Sequence, residues 1–346
     1  GRLVLTGNET VATLSLGGVL DGPPNTLTAN TTLTTGASVL ANLGGSQLRV
    51  TGDASLTGTA ASAALQLDGG TLTLAAANRL AATTSVTVAA PATLLLGGNQ
   101  TLAALNGAGT IDMGSATLTL LPSANSSFSG LLSSSGGSFV KQGAGTTFTM
   151  AGNADAFSGS VRVDAGTMAV TGTFGTSGAL QVDVANTGTL TLGSAERLAN
   201  TAVVTVSPLA TFTLAGLETV ATLNLNGLLN GSGTLNAANV ALNNATVASN
   251  ANLGGGSLTS VGANVLNGTS AAIVVAVNGG TLTLAGAGRL TGAPVTTVTG
   301  GLTTTLALQG NTTLGTLSGN GTVNLGSFTL STGSIAGSTS FGGLVS

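Results

Sequence analysis

The stretch GGTLTLAAANRLAATTSVTVAAPATLLLGG, residues 69 to 98, decides how the chain is read. It returns as GTLTLGSAERLANTAVVTVSPLATFTLAG at 188 to 216 and as GGTLTLAGAGRLTGAPVTTVTGGLTTTLALQG at 279 to 310. Within each copy apolar residues alternate with Thr in short runs, and Gly, Asn, Ala or Pro punctuates between the runs. That is the pattern of short half-buried strands joined by tight turns. TLTL-like starts recur at Leu3, Thr26, Leu48, Thr71, Thr93 and Thr117, then from Thr147 through Thr189, Thr211 and Thr281 to Phe328. Fifteen starts, about 23 residues apart, predict one turn of a β-solenoid for each. The expected fold is an all-β, right-handed parallel β-solenoid, about 15 turns of about 23 residues forming a rod roughly 70 Å long.

The physical logic is stacking. A single turn cannot bury its Leu and Val, whereas turns laid on one another form inward Leu columns and pair their backbone groups above and below. Leu72, Leu74, Leu190, Leu192, Leu282 and Leu284 are therefore predicted to point inward and their Thr neighbours outward.

Composition excludes more than it assigns. Charged residues are 5% and aromatic residues 2% of the chain, while mean hydropathy is +0.51, the opposite of a disordered polyelectrolyte. There is no Cys, His, Trp or Tyr, so the thiolate nucleophile, the usual neutral-pH base and the usual sugar- or base-stacking rings are missing. A net charge of −3 gives no polybasic field, which argues against nucleic acid as a partner. The longest apolar runs, such as AAIVVAV at 271 to 277, are far shorter than the roughly 20 residues of a membrane span.

A longer period overlies the short one. ETVATL (9–14) returns at 218–223, ANLGG (41–45) at 251–255, and FSGLLS (128–133) as FGGLVS at 341–346. The chain reads as one continuous solenoid over 1–346 in which residues 1–137 match 210–346 as copies of a block of about 210 residues. The first and last turns resemble interior turns and carry no polar cap. The expectation is a continuous fibre, made by a longer chain in which the block continues or by copies stacked end to end.

Between the copies lies FVKQGAGTTFTMAGNADAFSGSVRVDAGTMAVTGTF, residues 139 to 174. Lys141, Gly143, Gly145, Thr146, Asn153, Phe157, Gly159, Gly166 and Thr167 fall on the pattern of the autotransporter-associated β-strand repeat, which this segment resembles. The resemblance implies a parallel β-helix at the surface of a Gram-negative bacterium, in a passenger of the filamentous haemagglutinin-like adhesin type.

Candidate chemistry rests on ten carboxylates: Glu9, Asp21, Asp53, Asp68, Asp112, Asp155, Asp164, Asp183, Glu196 and Glu218. Asp68 aligns with Asn278, and Glu9 and Glu218 align with Gln100 and Thr312, so acidic positions become amide or hydroxyl in other copies. No GGxGxD calcium pattern occurs. Arg79, Arg197 and Arg289 recur before a Leu and are read as corner residues whose stems pack over the turn while the guanidinium bonds carbonyls. The Thr-x-Thr pairs (Thr71/Thr73, Thr117/Thr119, Thr189/Thr191, Thr211/Thr213, Thr281/Thr283) would form an outward ladder broken at Ala29, Leu95, Ala169 and Ala237. No catalytic, cofactor or metal residue is assigned. The expected role is an extracellular structural filament or adhesin stalk without enzymatic activity, whose partners are further copies of itself and cell-surface glycans or other cells. The alternatives are an ice- or glycan-binding solenoid and a polysaccharide-active enzyme.

Overall fold

A computed structural model describes residues 1–175, 178–333 and 340–346. Of the last turn, residues 334–339 lie outside the described residues. The fold is an all-β parallel β-solenoid of about 18 turns, roughly 19 residues each. A 3-10 turn at Gly301–Thr303 is the only helical piece among the described residues. The chain divides into two compact units, Gly1–Leu180 and Gln181–Ser346.

In the first unit each turn contributes to three walls. One wall stacks Arg2–Val4, Val19–Asp21, Ala37–Val39, Ala54–Leu56, Thr71–Leu74 and Thr93–Leu96 in parallel. A second stacks Glu9–Leu16, Thr26–Leu33, Gln47–Val50, Ala64–Leu67 and Ser85–Val88. The third begins with the first residues of the long strands Glu9–Leu16 and Thr26–Leu33, Glu9–Thr10 pairing with Leu27–Thr28 and Thr26–Thr28 with Asn42–Gly44. It thins to single bridges linking Leu43, Ala60 and Leu80, and becomes a full ladder from Gln100–Leu102 onward. The second unit repeats the scheme. One of its walls, for example, runs from Thr189–Leu192 and Thr211–Leu214 to Thr281–Leu284 and Thr305–Leu308.

Alternation decides which side chains fill the interior. Leu72, Leu74, Leu192, Leu282 and Leu284 are fully buried and Leu190 nearly so, while the Thr residues between them are half-exposed. Each buried Leu contributes about 1.5–3 kcal/mol, and the parallel pairing satisfies the strand backbone. In the first unit aromatic rings thicken the core. Phe139 and Phe148 lie 5.3 Å apart, and Phe157 meets Phe174 edge-on at 4.8 Å.

The turn is shorter than the spacing of TLTL starts predicts, and the walls explain why. In the first unit Leu48, Thr147 and Thr167 sit on one wall, Leu3, Thr71 and Thr93 on another, and Thr26 and Thr117 on the third. Counting starts therefore mixes one-turn steps with steps to a neighbouring wall. Paired residues give the true repeat: Arg2 pairs with Val19 and Thr93 with Thr110, each 17 residues on. The Thr ladder is likewise divided among walls. Of the four interruptions, Ala29 and Ala237 face inward and are buried, which leaves Leu95 and Ala169 at outward positions.

Candidate functional site

The polar groups of this molecule gather at the corners, where the chain leaves one wall for the next. An Asn or Asp side chain there reaches forward one turn and accepts the N–H that opens a strand. Asn8 Oδ1 accepts from Thr26 N at 2.9 Å, Asp53 Oδ1 from Thr71 N at 2.8 Å and Asn99 Oδ1 from Thr117 N at 2.8 Å. In the second unit Asn252 accepts from both the N–H and the hydroxyl of Thr269. An amide and a carboxylate do the same work because only an oxygen acceptor is required.

The acidic residues follow this logic. Asp21, Asp68 and Asp164 pair with Arg2, Arg49 and Arg162. Hydrogen bonds from Arg2 and Gly22 hold the Asp21 carboxyl below its ordinary range, and bonds from Gln66 and Arg49 do so for Asp68. Asp112 accepts from Gly114 N, and Asn153 bonds Asp155 through both its amide atoms. Among the described residues no group of three or more acidic side chains converges. If Asp53 serves as a corner acceptor, Asp53→Asn should leave stability within about 0.5 kcal/mol of the parent and Asp53→Ala should lower it by about 1 kcal/mol. Urea midpoints read the difference; equal losses for Asn and Ala would mean that the charge itself is required.

The recurring Arg-Leu corners show how a buried carboxylate enters. Arg79 donates through Nε to Ala77 O at 3.0 Å and through a terminal nitrogen to Thr57 O at 2.5 Å, while Arg197 Nε donates to Ala195 O at 2.9 Å. The corner reading therefore holds for these two. Arg289 departs from it, its Nε being buried without a partner among the described residues. On the following turn Gln100 accepts from Leu80 N and donates to Ala76 O. Glu218 takes the corresponding place beside the Arg197 corner, accepting from Arg197 N and Leu198 N, both at 2.8 Å. It is fully buried. Desolvation raises its pKa to about 7, against the two N–H bonds, and neighbouring Glu196 adds to the rise.

Lys141 is the feature least expected from composition, being fully buried without a carboxylate partner among the described residues. Its Nζ donates to Gln142 O at 2.6 Å, Gly143 O at 3.1 Å, Thr146 Oγ1 at 3.1 Å and Ala165 O at 3.2 Å. Burial lowers its pKa to about 8, so it stays protonated at neutral pH within a cage of oxygens. The glycines of this segment have steric reasons. Gly166 has φ +67°, and a Cβ there would lie 2.4 Å from Gly143 O and 2.9 Å from Lys141 Nζ. Gly159 (φ +124°) would drive a Cβ to 2.1 Å from Gly137 O.

The surface grooves are shallow. One, of about 400 Å³, is bordered by Thr59, Asn78, Leu80 and Thr101; another, of about 500 Å³, by Leu209, Thr211, Asn226 and Thr246. Neither is lined by a charged side chain. Among the described residues no helix is long and apolar enough to cross a membrane. In comparisons with known proteins, no family model, curated protein or solved structure matches the chain.

Proposed function

We propose that the chain is part of a non-catalytic structural filament or adhesin stalk displayed at the surface of a Gram-negative bacterium, where stacked turns present faces and bear load. The observation that carries this reading is the use to which charged side chains are put. Arg79, Arg197, Lys141, Asp53 and Glu218 bond the backbone of their own or an adjacent turn, so the groups with most chemical reach hold corners together. The resemblance of residues 139–174 to the autotransporter-associated repeat supports the surface location. The Lys141 cage gives that repeat's Lys-x-Gly-x-Gly-Thr opening a mechanical reason.

The test is display of the chain on a non-adherent Gram-negative cell through an unrelated outer-membrane anchor, with a reporter epitope at its free end. The expected result is an accessible epitope and greater cell–cell or cell–surface attachment than the bare anchor gives. In parallel, the purified protein should leave acidic and neutral polysaccharides at their original chain lengths. Depolymerisation that disappears when one Asp or Glu is replaced would make the protein an enzyme and overturn the reading.

A further inference from the structure

We infer that the Thr-rich wall of the second unit is a lateral self-association face, and that the surface it packs against is the same wall of a second copy of this chain. One outward column runs through eight turns of this wall in unbroken pairing, from Thr189 and Thr211 through Leu228 and Val265 to Ala307 and Asn324. The side chains are short, so a second sheet can approach to about 10 Å. The hydroxyls of Thr189, Thr191, Thr211, Thr213, Thr281 and Thr283 have no partner among the described residues, which leaves them free to bond across an interface.

Charge identifies the partner. Beyond Glu218 the chain to Ser346 contains a single charged residue, Arg289, and the strand that follows it joins a different wall, where Leu290 bridges Ser270. Soluble proteins commonly guard sheet faces and edges with Lys or Glu; this wall has neither. A charged partner would lose hydration on docking and gain no counter-charge, whereas a second copy loses none. The first unit differs, since Arg49 stands on a Gln47–Val50 strand and pairs with Asp68.

Size is sufficient for a weak dimer. Strands about 13 Å wide, stacked eight deep at about 4.8 Å, present roughly 500 Å² per copy, or about 1,000 Å² in the pair, the lower bound for a specific interface. At the corners leading into the wall, Leu209 is 84% exposed on a φ of +69° and Leu302 is 69% exposed, and both add apolar rim. A two-fold arrangement lets each column meet its own mate.

Sedimentation velocity of the whole chain over a concentration series tests this. The wild type should dimerise in the micromolar range, and Thr213→Lys with Val265→Lys, both half-exposed on the wall, should weaken dimerisation at least tenfold. The pair Thr205→Lys with Thr259→Lys, half-exposed on a neighbouring wall, should leave it unchanged. If the first pair fails to fold, Thr283→Glu is read in its place. A wild type that stays monomeric at every concentration overturns the inference, as does association that survives substitution in the Thr wall. A monomer that slows ice growth and loses this with the wall substitutions assigns the hydroxyl rows to water, and overturns it equally.

Discussion

Lys141→Met should destabilise the protein by about 3 kcal/mol, and Lys141→Ala by about 3–5 kcal/mol. The methionine keeps most of the buried stem and removes the ammonium, so it isolates the cage. Gln142 O, Gly143 O, Thr146 Oγ1 and Ala165 O then face a thioether that donates nothing. Each orphaned acceptor costs on the order of 1–3 kcal/mol, reduced where Thr146 keeps its bond to Gly143 O. The alanine adds a cavity beside Gly166. Denaturant unfolding gives the magnitude, and faster amide exchange over 141–147 and 163–167 locates it. A methionine variant with the parental midpoint would show that the oxygens are satisfied without the lysine.

The second large effect is a dependence of stability on pH centred on Glu218. Its folded pKa, about 7, lies above the ordinary 4.5, so the folded protein holds this proton more tightly than the unfolded chain. The stabilisation is complete below about pH 4.5 and is lost as pH rises through about 7. The difference amounts to about 3 kcal/mol between those limits. Glu218→Gln should remove the slope and leave the protein more stable than the parent at pH 8, because Gln100 shows that an amide fits the corresponding corner, bonding Leu80 N and Ala76 O. Urea titrations from pH 4 to 8 on both proteins decide. The same slope in the glutamine variant would place the titrating group elsewhere.

How far the sequence announced these features depends on which physical signal each leaves. Thr/Leu alternation fixes the face a residue occupies, so the inward Leu residues were legible from their spacing alone. The length of a turn was not, because TLTL marks a strand and leaves its wall unspecified; Thr93 and Thr117 look like successive rungs yet stand on different walls. Asn was legible as punctuation between strands, and Asn78 and Asn244 do turn the chain there with positive φ. Its commoner task, accepting the N–H of the next turn as Asn8 and Asn99 do, depends on a partner about 18 residues away that local pattern does not reveal. For Glu218 a signal was present: alignment with Gln100 means that an acceptor is needed and a charge is not. Lys141 stood out only as part of a motif, since nothing in a lysine's neighbours along the chain predicts four oxygens assembled from two turns.

The corners have one more consequence, for how the chain tolerates change in its length. Paired residues are 17 apart between Arg2 and Val19 but 24 apart between Thr281 and Thr305, and the pairing stays parallel and in step in both. The extra residues are taken up where the backbone turns, outside the ladders. Wall register is thereby insulated from corner length, so a corner is a socket into which a loop of foreign sequence can be spliced while the strands on either side keep their partners. A family of such chains could diversify what it shows to the outside by insertions and deletions at corners, with its scaffold untouched.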